Sequence, residues 1–169
     1  TAKVCVIGDF AVGKTSTIER FVSNQFSEKY LTTVGVKIDT KEITLNEPAI
    51  DLKLVIWDVA GAERFGALEF SYLRGTAGVV LVADGTRSQT VRAALGLREQ
   101  VIERYGDMPF VFLMNKADLR SSWEVDERKL AEVREVCPDV YESSAKTGAA
   151  VEDALLRLAE RISRRELSA

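Results

Sequence analysis

Histidine is missing from this sequence altogether, and with it every catalytic triad or metal site built on imidazole. Only two cysteines occur, Cys5 and Cys137. They are too few and too far apart for a disulfide framework, so a reducing cytoplasm is the expected compartment. No run approaches the roughly 20 apolar residues of a membrane span, and no signal peptide is visible. An excess of basic residues is lacking too. The net charge of −3 and pI near 5.2 argue against a nucleic-acid binder. The chain opens on Thr1 rather than methionine and closes on RRELSA without a prenylation cysteine. A core domain is therefore expected, with membrane recruitment either depending on a tail outside the sequence or not occurring.

What is present is ordinary for a globular protein: 169 residues, 46% hydrophobic and 29% charged. That length supports one well-formed core, so a single domain over residues 1–169 is expected, without linker, repeat or low-complexity segment. Short apolar runs alternate with helix-period stretches, the pattern of an α/β sheet with crossover helices. VCVIG (residues 4–8) reads as a buried strand entering a glycine-containing loop, followed by a helix with Ile18, Phe21 and Val22 on its apolar face. Val36 and Ile38 share one alternating phase, while Ile43 and Leu45 share the other. After the turn residues Asn46-Glu47-Pro48 the alternation continues cleanly through Ile50, Leu52, Leu54 and Ile56. This predicts a hairpin, hence one antiparallel edge strand. GVVLVAD (78–84) and FVFLMN (110–115) are continuous apolar runs, as in central strands covered on both faces. Between them Val91, Ala94, Leu95, Val101, Ile102 and Tyr105 form a helical stripe, and a second runs through Val151, Ala154, Leu155, Leu158, Ala159 and Ile162.

Four short motifs sit at the ends of these strands. GDFAVGKT (8–15) matches G-x-x-x-x-G-K-[ST], after a strand and before a helix. Glycines let such a loop wrap so that N–H groups face phosphates, and the helix N-terminus favours anions. Lys14 then reaches the β- and γ-phosphates and the Thr15 hydroxyl binds Mg²⁺. Ala11, Val12, Gly13 and Ser16 complete the expected cradle. Asp58, at the end of the strand 51–58, is suited to hold magnesium through water, and Gly61 of the same D-x-x-G to meet the γ-phosphate. NKAD (115–118) follows another strand. The Asn115 amide is able to bond a base and tie loops together, and the Lys116 stem to lie along a purine. Asp118 accepts from two adjacent N–H groups, which guanine presents and adenine does not. SSAK (143–146) brings Ser144, Ala145 and Lys146 to the same edge, with the Ala145 N–H directed at a purine carbonyl.

On these motifs the chain resembles a small GTPase of the Ras superfamily, and within it the Rab family. KYLTTVGVKI (29–38) resembles the Rab switch I, WDVAGAERF (57–65) its switch II, and FSYLRGTAGVVLVAD (70–84) the segment that follows. The resemblance implies a six-stranded, mostly parallel sheet with one antiparallel edge strand and five flanking helices. It also implies a monomeric GTP/GDP switch with Mg²⁺, working in vesicle trafficking at the cytosolic face of a membrane. Effector proteins, an exchange factor and a GTPase-activating protein are its implied partners. By the same resemblance Thr33 binds magnesium and the γ-phosphate in the GTP state, Phe26 lies against the guanine and Tyr30 covers the phosphates. Core packing for Phe26 and an exposed tyrosine without a ligand role remain the plainer readings. Trp57, Phe65 and Tyr72 correspond to the family's switch-facing aromatics, with simple core packing as the alternative.

Two residues depart from the family pattern. Ala62 follows D-x-x-G where the family usually has a glutamine that orients the attacking water, and Phe10 stands in the loop where relatives carry small or polar residues. No catalytic residue is assigned; Lys14 and Thr33 are expected to support the transition state. Intrinsic hydrolysis is expected to be very slow, or to depend on a partner that supplies the missing groups. The Phe10 ring either crowds an arginine finger and shields the phosphate, or lies over the switch surface without catalytic effect. Two other readings stay open: a non-hydrolysing GTP-binding module, and a variant engineered to hold GTP. A nucleoside kinase or ATPase would bind ATP, which NKAD argues against.

Overall fold

The strand predicted from VCVIG lies at the centre of the sheet because both its faces are apolar. β1 (Ala2–Gly8) is hydrogen-bonded in parallel to β3 (Ala49–Val59) on one side and to β4 (Gly78–Asp84) on the other. β5 (Phe110–Asn115) and β6 (Val140–Glu142) continue the parallel array, while β2 (Val36–Asn46) pairs antiparallel with β3 at the opposite edge. The order is β2-β3-β1-β4-β5-β6, the six-stranded, mostly parallel arrangement expected. The computed structural model describes residues 1–23, 36–46, 49–59 and 66–168. Glu47 and Pro48 of the expected turn lie outside the described residues, between the paired Asn46 and Ala49.

β2 shows how residue pattern decides a face. Its register with β3 is unbroken, so one phase holds along the whole strand. At the far end Ile43 and Leu45 are buried. At the near end the same phase carries Lys37, Asp39 and Lys41 instead. Lys37 pairs with Glu19 and Asp39 at 3.6 and 3.7 Å, and the Lys41 ammonium lies 4.2 Å over the Phe21 ring. Ile38 points to the other face beside its cross-strand partner Trp57 and stays 50% exposed.

The helices divide between the two faces. α1 (Lys14–Ser23) and α5 (Val151–Ser168) cover one, burying Ile18, Phe21 and all six residues of the predicted α5 stripe against β1, β3, β4 and β5. α2 (Ala67–Ser71), α3 (Ser88–Tyr105) and α4 (Glu127–Val136) cover the other. Val91, Ala94 and Val101 of the α3 stripe are buried, with Leu95, Ile102 and Tyr105 half-buried at its margin. α4 starts at Asp126, whose carboxylate accepts the Lys129 N–H at 2.9 Å. Such a cap contributes about 1 kcal/mol. Each buried leucine or isoleucine of these stripes contributes roughly 1.5–3 kcal/mol, so truncating Leu158 in α5 costs about 2–5 kcal/mol once the cavity is included. Cys5 and Cys137 are free and buried. Among the described residues, no helix is long and apolar enough to cross a membrane.

Because β1 leads to a helix on one face and β4 to a helix on the other, a crevice opens between their carboxyl ends. Ligands of open α/β sheets bind at such a point. The ends of β1, β3, β4, β5 and β6 all meet at this edge.

Candidate nucleotide site

The loop from β1 to α1 needs special backbone at two places. Gly13 has φ 98°, and a Cβ there would sit 2.3 Å from Asn115 Nδ2. Ala11 holds φ 58° with a methyl group present, the sort of strain that persists only when neighbours over-determine it. The Phe10 carbonyl beside it accepts a 2.9 Å hydrogen bond from the Arg87 guanidinium, and the Phe10 ring is 62% exposed. Lys14 opens α1 and is buried. Among the described residues its ammonium bonds only the main-chain oxygens of Gly8 and Asp9, at 3.4 and 3.1 Å. Burial pulls its pKa down, and the negative charges of Asp58 and Asp9 oppose that. Thr15 donates its hydroxyl proton to Asp58 Oδ2 at 2.5 Å. Burial pushes the Asp58 carboxyl up, against the lowering effect of that hydrogen bond and of Lys14.

The base-side loops are joined through Asn115, which is buried at the end of β5. Its Nδ2 donates to Val12 O at 2.8 Å in the phosphate loop. Its Oδ1 accepts the Ala145 N–H at 3.2 Å and the Ser143 hydroxyl at 3.4 Å. The Ala145 N–H expected to face a purine carbonyl is thus already engaged, and a base would share it. Asp118 is exposed and accepts the Ser144 hydroxyl at 2.8 Å on Oδ1, leaving Oδ2 clear of that bond. Lys116 is left-handed at φ 71°, and its ammonium lies 2.7 Å from Asp84 Oδ2. Burial raises the Asp84 carboxyl, but hydrogen bonds from Lys116, Thr86 and Arg87 together outweigh it and hold the group below the usual carboxylate range.

The described structure brings together Ala11, Val12, Gly13, Lys14, Thr15, Ser16, Asp58, Asn115, Lys116, Asp118, Ser144, Ala145 and Lys146 at one sheet edge. Phe26, Tyr30, Thr33, Gly61, Ala62 and Phe65 lie outside the described residues. Trp57 and Tyr72 form a tilted pair with ring centroids 6.4 Å apart, half-buried at the margin of the core. Sequence reasoning missed four participants. Asp84 had a visible signal, an acidic residue closing an otherwise apolar strand. Arg20 had none: it reaches across from α1 to the Ala145 carbonyl at 2.9 Å and to that of Lys146. Gly85 and Trp123 carry no spacing signal in the sequence; the fold brings them into contact.

These residues fit a nucleoside phosphate and its metal. A buried cation bonded, among the described residues, only to carbonyls suits a phosphate, and Gly13 leaves the Asn115 amide room to pack against the loop. A hydroxyl and a carboxylate in contact suit a hard cation that takes oxygen ligands.

Comparison with known proteins agrees. The sequence model of the Ras family matches residues 3–164. The chain is 34% identical over 165 residues to Ras-related protein Rab7 of Drosophila melanogaster, covering 94% of this chain and 78% of the relative. It is 35% identical over 167 residues to Ras-related protein Rab-1C of Dictyostelium discoideum, covering 95% and 80%. With Ras-related protein RABG3e of Arabidopsis thaliana the identity is 36% over 166 residues, covering 91% and 78%. Taken with the six-stranded sheet and the strand-end motifs, these similarities make the chain a member of the Ras family, and within that superfamily a Rab-like small GTPase.

Proposed function

We propose that this chain is a single-domain guanine-nucleotide switch that holds GTP or GDP with Mg²⁺ at the carboxyl edge of its sheet. It hydrolyses GTP slowly unless an activating protein assists, and it binds effector proteins through switch I (about 26–38) and switch II (about 59–72). The observation that carries the reading is Asn115, whose one side chain joins the phosphate loop at Val12 to the base loop at Ala145. A phosphate site alone has no use for that bridge. Lys14 and the loop N–H groups bind the phosphates, Asp118 reads the guanine N1 and N2 protons, and Thr15, Thr33 and Asp58 (through water) hold the metal. Held by these residues, Mg²⁺ would supply positive charge against the phosphates. Ile38, Trp57 and Tyr72 contribute apolar, partly exposed side chains suited to an effector.

Slow hydrolysis follows from Ala62, whose methyl group cannot orient water. Glutamine-bearing relatives hydrolyse GTP alone at only about 10⁻⁴ s⁻¹, and an arginine from a partner adds up to ~10⁵-fold. A single-turnover assay on GTP-loaded protein checks this. The expected rate is below that of glutamine-bearing relatives, and Ala62→Gln is expected to raise it; equal rates would overturn the reading. Competition against a fluorescent GDP tests the base preference, with displacement by GDP and none by ATP expected.

The exposed Phe10 ring favours one further reading, a GTP-binding module that does not hydrolyse. Hydrogen exchange of residues 26–38 and 59–72, compared between GDP and a GTP analogue, separates the two. A switch differs between the states and a module does not.

A further inference from the structure

The Lys116 carbonyl accepts two hydrogen bonds. One is the turn bond from the Leu119 N–H at 2.9 Å, and the other comes from the Trp123 indole Nε1 at 2.8 Å. Lys116 is left-handed, φ 71° and ψ 40°, and this bend carries the chain from the end of β5 to Asp118. A non-glycine residue held there is strained and needs its surroundings to fix it. Lys116 is fixed at both ends, its ammonium by Asp84 and its carbonyl by Trp123.

The indole is itself fixed by a glycine. A Cβ on Gly85 would lie 2.2 Å from Trp123 Cε2, so the ring rests directly on the Gly85 backbone. The main chain after the ring closes on the same place, with the Glu124 N–H donating to Gly85 O at 3.0 Å. Gly85 N–H in turn donates to Asn115 O at 3.1 Å, the residue before Lys116. The Arg120 guanidinium also lies over the indole, 4.5 Å from the ring centroid.

We propose that Trp123 is a positioning residue for guanine recognition, its indole N–H fixing the Lys116 bend that aims Asp118, with Gly85 as the seat that the ring requires. The proposal rests on the guanine-binding reading above. It makes base discrimination depend on a side chain that does not touch the base. Two oxygen acceptors on Asp118 meet the N1 and N2 protons of guanine together only when the bend is held. Inosine lacks the 2-amino group and so depends less on that aim.

The test compares release of fluorescent GDP and of the matching inosine diphosphate from wild type, Trp123→Phe and Gly85→Ala, with Arg92→Ala on the exposed face of α3 as control. Trp123→Phe keeps an aromatic ring beside Gly85 but removes the N–H together with part of the bicycle. It is expected to release GDP about five- to tenfold faster, the effect of one lost neutral hydrogen bond, with little change for inosine diphosphate. The GDP preference then narrows. Gly85→Ala displaces the ring from the other side and is expected to give the same fingerprint, so the test survives if one variant folds poorly. Unchanged GDP release in both variants would overturn the proposal. So would equal acceleration for both nucleotides with a lowered melting temperature, which marks a general packing role. Equal displacement of GDP by ADP from wild type would overturn the guanine reading itself, and is distinguishable because it needs no variant.

Discussion

The phosphate side and the base side of the site lie on the same sheet edge but leave their polar groups in opposite conditions. On the phosphate side Lys14 and Asp58 are buried charges, and burial pushes both toward their neutral forms. On the base side Asn115 spends its amide on three protein partners, Asp84 is held ionised by Lys116, Thr86 and Arg87, and Ser144 engages Asp118. One half is saturated by its own protein; the other holds charges that suit charges brought by a ligand. The difference teaches that nucleotide affinity and fold stability need not draw on the same residues, even a few ångströms apart. The base half is built to hold a shape, and the phosphate half to be neutralised.

The comparison breaks most visibly at Lys14. Lys14→Ala is expected to cost about 2–5 kcal/mol of GDP and GTP binding, at least ~30-fold in affinity, as for any truncated partner of a buried charge pair. The melting temperature of nucleotide-free protein should hold or rise, because a desolvated cation is gone. Isothermal titration and thermal melting read the two arms, and a large fall in nucleotide-free stability would undo the contrast. Asn115→Ala sits on the other side. It leaves the Val12 carbonyl and the Ala145 N–H without that partner, at about 1–3 kcal/mol for each buried group. Here the nucleotide-free melting temperature should drop by several degrees, about 2–4 °C per kcal/mol for a chain of this size, together with affinity.

Asp58→Asn is expected to abolish the effect of Mg²⁺ on nucleotide release while raising nucleotide-free stability slightly, since burial disfavours its charge. Release rates with and without EDTA measure the first, and melting measures the second. The smallest effect is a pH dependence at Asp84. Its folded carboxyl titrates below the ordinary value of about 3.9, so its stabilisation is fully present above that value. It is lost as pH falls through the lowered folded value. Asp84→Asn should therefore flatten the acid limb of the stability curve, followed by circular dichroism between neutral and strongly acid pH.

The contrast also accounts for what sequence alone revealed. β4, β5 and the α5 stripe were legible because burial on both faces, or along one helical stripe, writes itself directly into apolar spacing. The phase change between Ile38 and Ile43 was legible too, although only the structure shows that the register runs through it unbroken. α2, with five residues, is too short to show a period. In the phosphate loop each position has a role fixed by ligand chemistry, so the motif could be read residue by residue. The base side was legible only at NKAD and SSAK. Its supports are pairwise fits between distant segments: Arg20 reaches Ala145 from 125 positions away, and Ser144 reaches Asp118 from 26. A fit of that sort leaves no trace in spacing, since neither partner constrains its own neighbours.

The placement of the aromatic rings has an optical consequence. The chain has two tryptophans, and they stand apart: Trp57 on β3 beside Tyr72, and Trp123 against Gly85 on the base loop. Each has a cation over its ring, Lys3 at 3.8 Å and Arg120 at 4.5 Å. Emission from the unlabelled protein is therefore two local signals added together, one from β3 beside Tyr72 and one from the loop after β5. Replacing either tryptophan by phenylalanine leaves a single-colour reporter of the other, able to time the arrival of a partner separately from the departure of a nucleotide.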